Sequence, residues 1–373
     1  MNQLRKATAE GTANCKGRFA NAVADGHFRQ SQGLWMSSIG LGSYLGNPDE
    51  RTDEAYRNAV IRAVELGCNV FDTAANYRFQ RSERCIGDAL AELFSQGKAS
   101  RDEIIVATKG GYIPFDTVAP RNRQEAMDYL EETFVKPGVC AREDFVDGSH
   151  CMTPRYLEHQ LNQSQRNLKL ECIDVYYIHN PESQFAEVSR EEFYKRLRAA
   201  FEFLESAVEA GKISVYGAAT WNGYRAPSNS PKALSLEHVV STAREVAGDG
   251  HHFRVAQLPF NLAMVEAFTN VNQTLNGESV TFLEAAAGLG ITVMSSASIL
   301  QSRLSSGLPP TVGEAFPGLR SDAQRAIQFT RSTPGIEVAL VGMSNLAHVE
   351  ENLEVAKLPP ASMEEYLKLF SRG

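Results

Sequence analysis

The sequence predicts an α/β fold, a (β/α)8 or TIM barrel with an N-terminal hairpin and a long loop after the third strand. Short apolar runs alternate with longer stretches of helical period, and eight such units follow one another from Ile39. Strictly alternating units imply parallel strands, because each connection must return the chain over one face of the sheet. An open doubly wound sheet is the competing fold, but no GxGxxG follows an early strand.

The elements can be placed one by one. The predicted strands are 37–44, 69–73, 103–109, 172–179, 212–219, 253–258, 291–296 and 337–342. The predicted helices are 55–67, 82–94, one starting at 153–154, 193–211, 235–246, 278–287, 321–331 and one from about 346. Thr153 and Pro154 are typical of a helix start, because the hydroxyl can accept from free N–H groups and proline suits the first helical position. Gly211 is typical of a helix end.

The segments outside this pattern are also informative. Residues 1–36 precede the barrel, and HFRQSQGLWM predicts a hairpin that plugs its bottom; 363–370 predicts an extra helix. We expect one domain over 1–373. The connections 110–152 and 260–277 are far longer than usual for such loops. Loops at the carboxyl ends of barrel strands build active sites, so 110–152 is interpreted as a lid, a substrate wall or a subunit contact.

Composition limits the class of partner. The net charge of −8 argues against nucleic acid or an anionic membrane as the main partner. The sequence contains no run of about 18 apolar residues, so no membrane-spanning helix is expected. The six cysteines show no metal-binding spacing, which indicates structural thiols in a reducing compartment. We therefore expect a cytoplasmic protein with a small-molecule substrate and no metal. The possibility of a homo-oligomer stays open.

Four polar residues follow the second, third and fourth predicted strands. Asp72 and Tyr77 lie in FDTAANY, Lys109 ends VATK, and His179 ends DVYYIH. Each residue alone has an ordinary structural explanation, such as a cap or an exposed loop position. In a parallel barrel, however, all strands point the same way, so these strand ends must converge on one rim. The sequence thus predicts a carboxylate, a phenol, an amine and an imidazole at one mouth.

The charges of these groups suggest their roles. A buried Lys109 ammonium is costly unless it is paired, and Asp72 is its natural counter-ion. A phenol has an ordinary pKa of about 10, and a neighbouring ammonium should lower the pKa of Tyr77. Tyr77 would then act as the general acid in carbonyl reduction. His179 can hydrogen-bond the substrate oxygen and orient it.

Several motifs resemble those of the aldo-keto reductase family. They are FDTAANY with RSERCIGDAL, VATK, DVYYIHNPE and GMSNLAHVEENL, and the resemblance runs from about Ile39 to Leu353. It implies Asp72, Tyr77, Lys109 and His179 as a catalytic tetrad, and NADP(H) bound across the carboxyl mouth of the barrel. The cofactor contacts implied by matching positions are Gly42, Ser43, Tyr44, Asp72, Thr220, Gln257, Ser296, Gly342, Ser344, His348, Glu351 and Asn352.

Some positions depart from the family pattern. Ala219-Thr220 replaces a Ser-Asn pair, and Ser296 replaces an aromatic residue. Where the family places Lys or Arg for a 2′-phosphate, this chain has Gly342, Ser344 or His348. A 2′-phosphate favours Arg or Lys, so NAD(H) is a serious alternative to NADP(H). A helix start near 346 could still receive a phosphate on its free N–H groups.

The sequence therefore predicts an NAD(P)-dependent oxidoreductase that reduces an aldehyde or ketone or oxidises an alcohol. Aromatic residues beside polar groups suit sugars as substrates. The candidate substrate walls are Trp35, Tyr44, Tyr112, Phe115, Asn180, Trp221 and Asn222. Two alternatives stay open: a Schiff-base lyase or aldolase that uses Lys109 as nucleophile, and a regulatory barrel that binds the cofactor with little turnover.

Overall fold

Eight parallel strands close into a barrel in the computed structural model, which describes residues 5–370. In chain order the strands are β1 (Phe28–Ser31), β2 (Leu34–Ser37), β3 (Ile39–Gly42), β4 (Val70–Asp72), β5 (Ile105–Gly110), β6 (Ile173–His179), β7 (Ile213–Ala219), β8 (Phe253–Pro259), β9 (Val271–Leu275), β10 (Glu278–Thr281), β11 (Thr292–Ser296) and β12 (Val338–Gly342). The barrel runs β3, β4, β5, β6, β7, β8, β11, β12 and back to β3. The predicted (β/α)8 barrel is confirmed.

Helices separate the barrel strands, as the predicted alternation requires. In chain order they are α1 (Ala9–Phe19), α2 (Glu50–Glu65), α3 (Arg81–Ser95), α4 (Arg123–Leu130), α5 (Pro154–Leu168), α6 (Arg190–Glu209), α7 (Leu236–Ala247), α8 (Glu266–Thr269), α9 (Phe282–Gly288), α10 (Pro310–Ala315), α11 (Asp322–Ser332), α12 (Leu346–Leu353) and α13 (Met363–Leu367). Among the described residues, no helix is long and apolar enough to cross a membrane. α5 begins at Pro154 as predicted, but the Thr153 side chain makes no capping hydrogen bond; its hydroxyl lies 3.3 Å from the Cys151 sulfur instead.

The antiparallel hairpin of β1 and β2 closes the bottom of the barrel, as predicted. Met36 of β2 is buried in one apolar cluster with interior residues of the barrel strands, such as Val70 and Ile105. Trp35 lies on this same hairpin, where its ring stacks under the Lys16 ammonium at 3.3 Å. The prediction of Trp35 as a substrate wall is therefore wrong, because the residue sits at the opposite end from the strand termini that carry the polar groups.

The predicted helix 278–287 is partly wrong. Its first four residues form β10, which pairs with β9 in an antiparallel hairpin. Asn276 and Gly277 connect the two strands with positive φ angles of 51° and 86°, as a tight two-residue hairpin turn requires. The helix begins only at Phe282, where the Thr281 hydroxyl accepts from the Glu284 N–H at 3.3 Å.

The insert between β5 and α5 is a packed unit rather than an open loop. It contains α4, a π-helical segment Glu131–Val135 and an apolar cluster of its own. Phe134 is fully buried at the centre of this cluster, and its ring centroid lies 5.1 Å from that of Tyr156 on α5. The insert is therefore fastened to the barrel wall beside the mouth.

Candidate active site

A cavity of about 420 Å³ lies at the carboxyl ends of the barrel strands. Many of the predicted site residues line it: Gly42, Ser43, Tyr44, Asp72, Tyr77, Tyr112, His179, Asn180, Thr220, Trp221, Gln257, Ser296 and Gly342. The segment 297–301 after β11 also contributes four of its five residues, which were not predicted. The rule that strand ends converge would have found them, since they directly follow a predicted strand.

Asp72 lines the cavity and forms a buried ion pair with Lys109. Asp72 ends β4, Lys109 is the penultimate residue of β5, and the ammonium Nζ lies 2.6 Å from carboxylate Oδ2. Lys109 also donates to the carbonyl of Thr73 at 2.7 Å, and Gln257 of β8 donates to Asp72 Oδ1 at 2.8 Å. Burial alone would lower the pKa of Lys109, but Asp72 and Tyr77 raise it above its usual value. The lysine is therefore charged, and the ion pair with its Gln257 contact links three strands, β4, β5 and β8.

The phenol of Tyr77 lies beside this pair, with its ring centroid 4.9 Å from the Lys109 ammonium. Lys109 acts to lower the pKa of the phenol, as predicted. Burial has the larger, opposite effect, and the pKa of Tyr77 is raised above its usual value. The prediction of a lowered pKa is therefore wrong for the protein as it stands. The phenol is therefore protonated near neutral pH, which is the form that a proton donor requires.

The chain after Tyr77 adopts an unusual backbone conformation. Residues 78–80 have φ angles of 48°, 57° and 68°, although none of them is glycine. The left-handed region is unfavourable for such residues, and it persists only where surrounding contacts hold it. Arg78 provides such contacts: its buried guanidinium pairs with Asp53 and donates to the carbonyl of Asn47 at 2.9 Å. This turn sets the position of the phenol.

His179 ends β6 on the other side of the phenol. Its ring packs edge-on against Tyr77 and Tyr112, with centroid distances of 5.8 and 5.1 Å. Burial and the nearby Lys109 hold the pKa of His179 well below its usual range, so the imidazole is neutral near pH 7. Its Nδ1 has no hydrogen-bond partner among the described residues. A neutral imidazole can donate one hydrogen bond to a substrate oxygen.

The insert reaches the site through His150, which the sequence analysis missed. His150 Nε2 lies 2.7 Å from the carbonyl of His179, and Gln184 Nε2 lies 2.8 Å from His150 Nδ1. Because the amide nitrogen of Gln184 can only donate, this network assigns the proton of His150 to Nε2. Burial lowers the pKa of His150 to about 4. No sequence signal marks this contact, because it joins two segments across the mouth.

Aromatic residues form the outer walls of the cavity. Tyr44 and Trp221 are 55% and 40% exposed, and the Tyr44 ring packs edge-on against Tyr77 at 5.0 Å. The Tyr112 hydroxyl lies 2.7 Å from the Ser183 hydroxyl. Phe115, in contrast, packs on Tyr129 at 5.2 Å within the insert, so its prediction as a substrate wall is wrong.

The remaining predicted cofactor positions lie outside this cavity. Ser344 precedes α12, and His348, Glu351 and Asn352 lie on it. The helix is capped by Asn345, whose side-chain oxygen accepts from the Ala347 N–H at 2.8 Å. His348 is exposed and Asn352 is buried. The roles predicted for these four residues stay predictions.

Comparison with known proteins adds independent findings. The sequence model of the Aldo/keto reductase family matches residues 38–226. A 6-dehydroglucose reductase of Novosphingobium aromaticivorans is 24% identical over 89% of this chain and 90% of its own. A deoxymugineic acid synthase of Triticum aestivum is 30% identical over 50% of this chain and 48% of its own. The chain thus spans about half the length of several curated relatives that it matches.

A solved structure shows the same fold. An aldo/keto reductase of Klebsiella pneumoniae, in complex with NADP and acetate, superposes with a TM-score of 0.62 at 19% identity. The match covers 93% of this chain and 94% of that one, so it includes the barrel and its flanking segments. At this level of identity the likeness concerns the fold.

Proposed function

The chain belongs to the aldo/keto reductase family, and from that premise we propose that it reduces a small-molecule carbonyl with NADP(H), Tyr77 being the proton donor. One observation carries the proposal. A phenol and a neutral imidazole face one cavity, and the buried, charged Lys109 ammonium lies 4.9 Å from the phenol ring. This is the set of groups that proton transfer to a carbonyl oxygen requires.

The residues present fit the nicotinamide end of such a cofactor. The Thr220 hydroxyl is buried without a hydrogen-bond partner among the described residues, and it lies on the cavity wall beside the amide of Gln257. These groups would hold a carboxamide. The small residues Gly42 and Gly342 pair in register and leave room for the extended part of the molecule. NADP(H) is chosen over NAD(H) because a similar protein was solved with NADP.

The chain's own residues would then perform the proton chemistry. When bound, the cofactor supplies the hydride that the carbonyl carbon accepts. His179 and Tyr77 donate hydrogen bonds to the carbonyl oxygen and orient it. As negative charge develops on that oxygen, Tyr77 gives up its proton, and the alcohol is formed. The Lys109 ammonium stabilises the resulting phenolate, and Asp72 keeps the ammonium charged.

A sugar carbonyl is the proposed substrate. Exposed Tyr44 and Trp221 line the cavity, and Asn180 and Ser296 add an amide and a hydroxyl group to the same wall. Flat aromatic faces beside mixed donors and acceptors suit a polyhydroxylated ring. A relative similar over most of its length is named for reduction of 6-dehydroglucose.

The Schiff-base alternative is less well supported. A lysine nucleophile must be neutral to attack a carbonyl. Lys109 is instead paired with Asp72 at 2.6 Å, and its pKa is raised. The alternative of a regulatory barrel with little turnover is also disfavoured, since Asp72, Tyr77 and His179 line the cavity and Lys109 contacts two of them.

Replacement of Tyr77 tests the proposal. We expect Tyr77→Phe to lower kcat for NADPH-dependent reduction of sugar aldehydes by about 10²- to 10⁴-fold, because the acid is removed while the ring is kept. NADPH affinity, measured by fluorescence quenching, should stay within about twofold. Tyr194→Phe removes a phenol on α6, outside the cavity, and serves as the control. Equal turnover of Tyr77→Phe and the wild type would refute the assignment.

A further inference from the structure

A second cavity of about 360 Å³ adjoins the first one. The two share three wall residues, Tyr112, Asn180 and Trp221. Tyr112 and Asn180 are linked by a weak hydrogen bond of 3.4 Å, and Trp221 is 40% exposed. These residues therefore form a low ridge between two connected spaces.

The second cavity lies away from the proposed cofactor. Its walls come from the insert after β5 and from the segments after β6 and β7. The walls proposed for the cofactor include the ends of β11, β12 and β3, on the far side of the ring. A molecule that fills both cavities would extend the substrate, not the cofactor.

The walls of the second cavity carry mixed polar chemistry. The cavity is lined by the side chains of Asp147, Ser149, Asn222 and Lys232, and by the indole of Trp221. Within residues 5–370, Lys232 takes part in no ion pair, although it is exposed at the cavity. A carboxylate, a hydroxyl, an amide and an ammonium around one aromatic face can satisfy the many donors and acceptors of a pyranose ring.

Glu182 adds a further polar group to this wall. Its Oε1 accepts from the N–H groups of Trp221, Asn222 and Gly223 at 2.9, 2.9 and 3.1 Å. This fixes the segment that carries the indole and the amide. Its Oε2 is buried and has no hydrogen-bond partner among the described residues. Buried carboxylate oxygens normally have one, and a ligand hydroxyl in the cavity would provide it.

We propose that the second cavity is a second sugar-ring subsite, so that the substrate is a disaccharide or glycoside with its carbonyl on one ring. The inference rests on the proposed function. The ring that bears the carbonyl occupies the first cavity, and the other ring crosses the ridge onto Trp221, Asn222 and Lys232.

Binding can be measured without turnover. The chain has two tryptophans, and Trp35 lies at the bottom of the barrel, so Trp35→Phe leaves Trp221 as the fluorescent reporter. In the NADP⁺-saturated protein we expect maltose to change this signal with an affinity about tenfold higher than that of glucose. Added Asn222→Ala or Lys232→Met should remove the difference, whereas Lys195→Met on α6 should keep it. Equal affinities for maltose and glucose would overturn the subsite.

Kinetics separate this inference from the proposed function. Two substrates are compared: a hexose 6-aldehyde, and a disaccharide that carries the same aldehyde on one ring. We expect kcat/KM to be about tenfold higher for the disaccharide, and Lys232→Met to abolish that ratio. A kcat/KM ratio near one, with good turnover of both aldehydes, refutes the second subsite and leaves the proposed function standing. If neither aldehyde is reduced, the proposed function fails, and the binding titration still decides whether a disaccharide is preferred.

Discussion

At the scale of single residues, the Lys109–Asp72 pair determines both the charge and the stability of the site. Each partner is buried, and the carboxylate oxygens are divided between Lys109 and Gln257. Removing one partner of a buried pair leaves an uncompensated charge, whereas removing both leaves none. The pair can therefore be studied by a double-mutant cycle.

We expect Lys109→Met to lower the free energy of unfolding by about 3–5 kcal/mol, since Asp72 is then buried without a counter-ion. Asp72→Asn in the Lys109→Met background should recover much of this loss, because no charge is left buried. Urea unfolding of both single variants and the double variant measures the effect. A double variant no more stable than Lys109→Met would show that the cost is one of packing.

The raised pKa of Tyr77 has a kinetic consequence. The phenol must be protonated to act as an acid, so reduction is active below its pKa and is lost as the pH rises through it. Because burial raises this pKa above the usual value, we expect kcat/KM for reduction to stay level up to about pH 10. The pH profile of the free enzyme checks this. An alkaline loss near pH 7 or 8 would contradict it.

At the scale of elements, the insert is the segment whose packing most affects the substrate side. Its ends carry Tyr112 and His150, whose rings pack edge-on at a centroid distance of 5.0 Å, and His150 contacts the carbonyl of His179. The stability of the insert depends on Phe134. Three aromatic rings, those of Tyr129, Phe145 and Tyr156, lie within 6.1 Å of its ring, and the His159 ring lies 5.4 Å away.

Phe134→Ala should therefore lower the free energy of unfolding by about 3–5 kcal/mol, as expected for a buried aromatic residue. Since the insert carries a substrate wall, KM should rise more than kcat falls. Limited proteolysis should cut first within 116–128, on the exposed part of the insert. Phe115→Ala, at the edge of the same cluster, is the milder control. Cleavage elsewhere would show that the insert is not the weakest unit.

The strands could be predicted because their apolar runs are buried and continuous. Each predicted barrel strand overlaps an observed one, and the convergence of Asp72, Lys109 and His179 followed from parallel topology alone. The hairpin of β9 and β10 was missed although Asn276-Gly277 is a strong turn signal. α1 was missed because its sequence, AEGTANCKGRF, contains few apolar residues.

Other features could not be predicted from local pattern. Trp35 was assigned to the wrong end of the barrel, since aromatic character does not specify position along the axis. The contacts of His150 and Glu182 join residues that are distant in sequence, and nothing in their neighbours marks them. The pKa of Tyr77 depends on the balance of burial against a nearby charge, and the sequence predicts only the charge.

At the scale of the whole molecule, buried neutral histidines couple folding to pH. His27 lies under the barrel, where its Nε2 is 3.1 Å from the carbonyl of Gly67, and His150 lies at the mouth. Burial lowers the pKa of each to about 4, well below the unfolded value of about 6.5. Between these values the unfolded chain binds more protons than the folded one.

Stability should thus be full above pH 6.5 and fall as the pH drops toward 4, by about 1.4 kcal/mol per pH unit for each histidine. Urea unfolding at a series of pH values measures the slope. His27→Gln should reduce the slope, because it removes one of the histidines whose pKa is lowered by burial. A slope unaffected by His27→Gln would exclude that histidine as a cause.

The left-handed turn at residues 78–80 implies that some folding stability is given up for a faster turnover. Three non-glycine residues at positive φ each cost about 1 kcal/mol or more, so this short stretch holds free energy that the rest of the fold must outweigh. Glycine at Phe79 would relieve part of this strain, but it would also remove a half-buried ring and raise the entropy of the unfolded chain. Selection for rapid turnover should retain phenylalanine, because a relaxed turn no longer fixes the neighbouring phenol.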